Sequence, residues 1–90
     1  MNARKLALDA VEKIIEELAF SNIVVNEFLN KYELNDSDKG LFTNIVYGTV
    51  QNLLAIDYYL QPFIEGKKVK KKIKYLLYIS IYQIVYLKQK

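Results

Sequence analysis

Six lysines fall within eight consecutive residues of this 90-residue sequence: Lys67, Lys68, Lys70, Lys71, Lys72 and Lys74. Ammonium groups at this density attract phosphate backbones without reading base sequence. The charge of the chain is also divided, since residues 67–90 hold eight lysines and no acid, whereas residues 1–66 hold all ten acids against five basic residues. Such asymmetry indicates an anionic partner. The alternative is a solvated lysine face that keeps the protein soluble, with distant acids neutralising part of it.

Four tyrosines follow the lysines at helical spacing: Tyr75, Tyr78, Tyr82 and Tyr86. Exposed rings in such a row could stack on unpaired nucleic-acid bases. Buried rings would instead belong to a core, with their hydroxyl groups reaching polar partners. Residues 75–87, which hold these rings, contain no charged residue, so the pattern favours the core interpretation.

The composition excludes several kinds of chemistry. The chain has no cysteine and no histidine, which removes disulfides, thiolate nucleophiles, the usual general base near neutral pH and the commonest metal ligand. We therefore expect no catalytic residue and no metal ligand in this stretch. The first helix carries charges throughout and is not a signal peptide, so we expect a cytoplasmic protein.

The elements that position these residues are all predicted to be helical, because no strand-like alternation or hairpin turn occurs. The first helix follows Asn2 as N-cap and ends near Leu18 or Ala19, and the second runs from Ile23 to about Tyr32 with Ser21 or Asn22 as cap. In the C-terminal half, we predict one long helix over residues 37–61, which ends at Pro62 and Gly66. At Gly48 we expect close packing against another helix in preference to a break. The last helix is predicted to start in the lysine run.

Residues 75–87 are apolar nearly all round a helix, which is typical of a buried or membrane-spanning segment. Thirteen residues fall short of the ~20 that a membrane span needs. The pattern therefore predicts a central helix surrounded by the others, and no membrane association. If the chain is part of a longer one, Ile84, Leu87 and their neighbours could form an exposed apolar flank.

Four stretches in this order resemble the NusB-type helical domain: LALDAVEKIIEE, FSNIVVNEFL, DKGLFTNIVYGTVQNLLAIDYYL and KYLLYISIYQIVYL. The chain is most similar to the form of that domain at the N-terminus of ribosomal RNA small-subunit cytosine-C5 methyltransferases. The resemblance implies an all-α, NusB-like bundle forming a single domain over residues 1–90. It also implies RNA binding, with Arg4 and Lys5 at the positions of basic residues in the family's first helix. Family members continue beyond the position of Leu87, so the resemblance implies an incomplete chain.

The function that the resemblance implies is RNA binding and substrate positioning for a 16S ribosomal RNA cytosine-C5 methyltransferase. Ribosomal RNA and a catalytic domain in cis would be the partners. The alternatives are a stand-alone NusB-type antitermination factor that binds RNA and a ribosomal protein, and a protein-interaction bundle. The parent reaction needs an S-adenosylmethionine loop and a cysteine nucleophile. This stretch has no cysteine and only three scattered glycines, so we expect no cofactor and no catalysis here. The sequence leaves the oligomeric state open.

Overall fold

Five α-helices make up the computed structural model, which describes residues 2–87. They are α1 (Ala3–Glu17), α2 (Ser21–Lys31), α3 (Asp36–Gln51), α4 (Leu53–Ile64) and α5 (Lys71–Val85). No strand occurs between residues 2 and 87. The predicted all-helical bundle is therefore confirmed.

The first helix begins where its cap predicts. The side-chain oxygen of Asn2 accepts hydrogen bonds from the backbone N–H groups of Arg4 and Lys5, at 2.7 Å and 3.3 Å. These bonds satisfy two of the donors that a helix start leaves without intrahelical partners. At the other end Leu18 adopts a left-handed conformation, with φ of 54°, and stops the helix. Both predicted ends of α1 are confirmed.

The helix α2 starts at Ser21, two positions before the predicted start at Ile23. Phe20 occupies the N-cap position without a side-chain hydrogen bond, and Ser21 is already the first helical residue. The backbone N–H of Val24 bonds to the carbonyl of Phe20 at 3.2 Å, so the helical ladder begins before Ser21 or Asn22 could act as a cap. The predicted cap of α2 is therefore wrong.

The start of α3 is capped by the side chain of Asn35. The side-chain oxygen of Asn35 accepts a hydrogen bond from the backbone N–H of Asp38 at 2.7 Å. Asp36 and Asp38 occupy the first turn, where their carboxylates face the positive end of the helix dipole. Asp38 thus lies at a helix start, as the sequence indicates.

The single long helix predicted over residues 37–61 is wrong, because the chain breaks at Asn52 between α3 and α4. The amide side chain of Asn52 donates to the carbonyl of Gly48 at 2.8 Å. A side chain that bonds to the preceding turn competes with the helical ladder. On α4, Ile56 and Leu60 are buried in the core.

The predicted end of this segment at Pro62 is also wrong, since α4 continues through Pro62 to Ile64. A proline removes the hydrogen bond that its N–H would make to the carbonyl four residues earlier, here that of Tyr58. Both residues are exposed, so water can hydrate that carbonyl and the helix tolerates the loss. Gly66, with φ of 76°, then makes the turn after α4.

The close packing predicted at Gly48 is confirmed. Gly48 is buried, and a Cβ atom at this position would overlap the ring of Tyr82 on α5. The hydroxyl of Tyr82 donates to the side-chain oxygen of Asn44, one turn earlier on α3. The ring of Tyr82 therefore occupies the space that any larger residue at position 48 would need.

The core lies between α1 and α3, which pack most extensively against each other, while α5 contacts α1, α3 and α4. The last helix begins at Lys71, inside the lysine run as predicted. It buries Tyr75, Tyr78, Ile79 and Tyr82. Its opposite face is open, and Ile84 is 72% exposed. Thus α5 is buried along one face instead of being enclosed on all sides, and the apolar flank considered from the sequence is present at Ile84.

Candidate nucleic-acid interface

The connection between α4 and α5 displays most of the lysine cluster. A tight turn follows α4, in which the backbone N–H of Lys67 bonds to the carbonyl of Ile64 at 3.0 Å. The chain then runs without helical structure to Lys70, which occupies the N-cap position of α5. We call the four lysines before and at the start of α5 the lysine loop: Lys67, Lys68, Lys70 and Lys71.

The lysine loop carries charge that the rest of the described chain does not neutralise. All four side chains are exposed, and none forms an ion pair with an acid within residues 2–87. The first turn of α5 contains no acidic residue, and its N-cap makes no side-chain hydrogen bond. The positive end of the helix dipole therefore adds to four ammonium groups. Such a surface attracts phosphate groups.

Lys72 differs from its neighbours because it has acidic partners on α1. Its ammonium group lies 3.0 Å from Glu12 Oε1 and 3.4 Å from Asp9 Oδ1. The hydrogen bond to Glu12 raises the pKa of Lys72 above its usual value, and the bond to Asp9 acts in the same direction. Lys74 lies apart as well, with its ammonium group 5.9 Å from the centre of the Tyr78 ring.

The two residues of α1 that were predicted to bind RNA, Arg4 and Lys5, do not belong to the lysine loop. The guanidinium Nε of Arg4 donates to the side chain of Gln83 at 2.6 Å, near the far end of α5. Gln83 lies thirteen positions after Lys70, which corresponds to a distance of about 20 Å along an α-helix. Lys5 pairs with Asp9 at 3.1 Å, and Asp9 also faces Lys72. Four of the eight predicted RNA-binding residues thus form the lysine loop, and Lys72 and Lys74 follow it in the first turn of α5. Arg4 and Lys5 lie on α1.

Three of the four tyrosines, Tyr75, Tyr78 and Tyr82, are core residues, as the sequence favours, and their hydroxyls donate to other helices. Tyr86, just after α5, is 39% exposed, so the core interpretation is wrong for that residue. Tyr75 donates to Glu16 on α1 at 3.1 Å, and Tyr78 donates to Asp57 on α4 at 2.7 Å. Burial raises the pKa of both hydroxyls, and the bonds to these carboxylates raise it further. These rings cannot stack on bases.

The exposed aromatic residues that the sequence analysis missed lie on α4. Tyr58 and Phe63 are 77% and 72% exposed, and Tyr59 is 47% exposed. The single helix predicted over residues 37–61 gave these rings no separate face. The sequence nevertheless contains an indication of an apolar helix surface, because α4 has only one charged residue, Asp57.

Within residues 2–87 no group of three or more acidic side chains is placed to hold a metal ion. Of the three glycines, Gly48 lies under Tyr82, while Gly40 and Gly66 are exposed. No helix between residues 2 and 87 is long and apolar enough to cross a membrane.

Comparison with known proteins decides the family. The model of the NusB family matches residues 1–90. The chain belongs to the NusB family. A probable ribosomal RNA small subunit methyltransferase B of Bacillus subtilis (strain 168) is 42% identical over 89 residues, which are 98% of this chain and 20% of that protein. The ribosomal RNA small subunit methyltransferase B of Proteus mirabilis (strain HI4320) is 26% identical over 94% of this chain and 20% of its own length.

The family also includes a second kind of relative. A transcription antitermination protein NusB of Coxiella burnetii (strain RSA 493 / Nine Mile phase I) is 26% identical over 98% of this chain and 65% of its own length. The chain thus spans about a fifth of the methyltransferases and about two thirds of the antitermination protein. No solved structure matches the chain.

Proposed function

We propose that this chain is an RNA-binding, substrate-positioning module of a ribosomal RNA small-subunit methyltransferase and is not catalytic by itself. The observation that carries the proposal is the 42% identity with the Bacillus subtilis methyltransferase, against 26% with the antitermination protein. The whole enzyme would methylate 16S ribosomal RNA at cytosine C5 in the cytoplasm. Its S-adenosylmethionine and its nucleophile would lie in a catalytic domain in cis.

The lysine loop supports the RNA-binding part of this proposal. Four exposed ammonium groups without acidic partners release counterions from the RNA backbone when they contact phosphates, which supplies affinity independent of base sequence. A phosphate contact fixes the position of a nucleic acid without selecting its bases. That property suits a module that holds RNA while another domain selects and modifies the base.

The salt dependence of RNA binding tests this part of the proposal. A variant in which glutamine replaces the four lysines of the lysine loop is compared with Lys31→Gln/Lys39→Gln, which removes charge from other helices. Between about 50 mM and 200 mM salt, the affinity of the native chain for RNA should fall steeply, with a log–log slope of about 0.7 per phosphate contact on single strands. The loop variant should lose up to about 3 units of this slope, and the control should keep it. RNA affinity that is absent at low salt, or identical in the loop variant, would contradict the proposed interface.

A stand-alone antitermination factor that binds RNA and a ribosomal protein is the second candidate. One observation favours it, namely that the chain covers 65% of the Coxiella burnetii antitermination protein. The mass of the native gene product separates the two candidates. A product about five times as heavy as this 10.6 kDa chain would support the methyltransferase module, and one only about one and a half times as heavy would support the free factor.

A further inference from the structure

The outer face of α4 is apolar and aromatic over its whole length. Leu54 is 90% exposed, and Tyr58, Tyr59 and Phe63 follow at spacings that keep them on the solvent side of the helix. The helix has one carboxylate, that of Asp57, and it points to the neighbouring helix, where it accepts the hydroxyl of Tyr78. The outer face therefore presents rings with no charge among them.

These rings lead directly into the lysine loop. Phe63 precedes the turn that Lys67 closes onto Ile64 at 3.0 Å, so the aromatic face and the first free lysine are separated by one tight turn. An open groove of about 370 Å³ lies beside the rings, lined by Tyr58, Tyr59 and Pro62 together with Gln61 and the exposed acid Glu65. Glu65 is the single acid between the rings and the four lysines in sequence. The surface thus combines flat apolar rings, a groove and concentrated positive charge.

A ligand of this surface must contact both the aromatic rings of α4 and the ammonium groups of the lysine loop. A purely apolar protein segment would leave four ammonium groups without a partner, and duplex RNA would leave the rings without one because its bases are stacked inside the helix. An unpaired RNA strand offers bases that stack on aromatic side chains and phosphates that pair with lysine. Charge complementarity at the lysine loop therefore selects RNA, and the rings select its single-stranded form.

We propose that the outer face of α4 and the lysine loop form one binding strip for unpaired RNA. Tyr58, Tyr59 and Phe63 stack on bases, while the lysine loop holds the phosphates that follow. The proposal rests on the RNA-binding function proposed above and adds the single-stranded form of the RNA as the preferred ligand.

Fluorescence anisotropy with a labelled single-stranded RNA, and with a duplex containing the same strand, tests the strip. The variant is Tyr58→Leu/Phe63→Leu, which keeps an apolar helix surface and removes two aromatic faces. Stacking contributes about 1–3 kcal/mol per base and the variant removes two rings, so we expect it to bind the single strand at least about thirtyfold more weakly. The control is Phe20→Leu, which removes an exposed ring from the α1–α2 connection and should leave affinity unchanged.

The salt dependence separates the rings from the lysines. The ring variant should keep the salt slope of the native chain, because its phosphate contacts remain, whereas the lysine-loop variant should lose slope. A second readout uses Tyr58→Trp, since the chain contains no tryptophan and the new indole reports on this position alone. Its fluorescence should be quenched by single-stranded RNA and much less by duplex.

The outcomes distinguish this proposal from the function on which it rests. If the native chain binds no RNA at low salt, the proposed function fails and the strip with it. If the native chain binds RNA but the ring variant binds the single strand equally well, the strip fails and the lysine-loop interface stands. A native chain that prefers duplex, or a tryptophan at position 58 that RNA does not quench, would likewise overturn the strip.

Discussion

The two halves of residues 67–87 differ in how their polar groups are used. In the lysine loop, four ammonium groups face solvent without an acidic partner among the described residues. In the tyrosine half, the three buried hydroxyls each donate to a different helix: Tyr75 to α1, Tyr78 to α4 and Tyr82 to α3. The first half is therefore available to a ligand, and the second is committed to the fold.

This difference teaches that formal charge and available charge are separate quantities. Lys71 and Lys72 are adjacent in sequence, yet only Lys72 reaches Asp9 and Glu12 on α1. Exposed ion pairs contribute little to stability, but they reduce the positive charge that a phosphate can meet. We expect changes in the tyrosine half to alter stability without altering RNA binding, and changes in the lysine loop to do the reverse.

The largest expected effect comes from filling the space under Tyr82. In Gly48→Ala the new methyl group would overlap the buried Tyr82 ring, which must move and lose its bond to Asn44. Overpacking of this kind destabilises a core by about 1–3 kcal/mol, and we expect a value near the upper end in urea unfolding. RNA affinity of the folded fraction should not change.

A matched glycine on the same helix gives the control. Gly40 is exposed and a Cβ atom there would meet nothing within 4 Å, so Gly40→Ala should stabilise the protein by up to about 1 kcal/mol. Equal effects of the two substitutions would show that helix propensity, and not the Tyr82 ring, decides the outcome at position 48.

A smaller effect is expected from pH. Burial raises the pKa of Tyr75, Tyr78 and Tyr82, and bonds to Glu16 and Asp57 add to this for the first two. An unfolded tyrosine has a pKa of about 10, so the unfolded chain loses its protons first as the pH rises. The stabilisation is therefore complete below about pH 10 and is lost progressively above it.

Urea unfolding of the native chain and of Tyr78→Phe between about pH 7 and about pH 11.5 measures this loss. The variant should be less stable near neutral pH by about 1.5 kcal/mol, because Asp57 loses a donor, and its stability should fall less steeply with alkali. Parallel curves for the two proteins would contradict a role for the Tyr78 hydroxyl in the pH dependence. Tyr58→Phe, which changes a surface hydroxyl, serves as the control.

The smallest expected effect is the difference between substitutions of the two adjacent lysines, Lys71 and Lys72. Lys71→Gln should lower the salt slope of RNA binding by about 0.7, the value for one phosphate contact on a single strand. Lys72→Gln should lower it less, because Asp9 and Glu12 already hold that ammonium group. Equal slopes in the two variants would mean that RNA displaces the carboxylates and that the two lysines are equivalent.

Local signals in the sequence predict much of the fold. Asn2 and Asn35 cap their helices through side-chain bonds to residues two or three positions away, so the relevant partners are visible in the sequence itself. Gly48 predicts a close crossing because a glycine destabilises a helix unless a neighbour needs its space. The break at Asn52 was not predictable in this way, because helical spacing continues across it and Ile56 and Leu60 beyond it are buried like the apolar residues before it.

The candidate interface likewise has a part that the sequence predicts and a part that only the structure shows. The lysine loop is a run of neighbours and could be found from the sequence, whereas the neutralisation of Lys72 depends on carboxylates some 60 residues earlier. The separation of Arg4 from that loop depends on the path of α5 along α1, which no local pattern shows. The exposed rings of α4 could not be separated from core residues without knowing which side of that helix meets α5.

The three tyrosine hydroxyl bonds of α5 also set an order of events during synthesis. They join residues 59, 21 and 38 positions apart, and in each bond the tyrosine is the later residue. Contacts over such separations are slow to form because the intervening chain must first be ordered. A ribosome that has synthesised only α1 to α4 therefore carries a nascent chain in which Glu16, Asn44 and Asp57 still lack these partners. The bundle can close only after its last helix has left the ribosome.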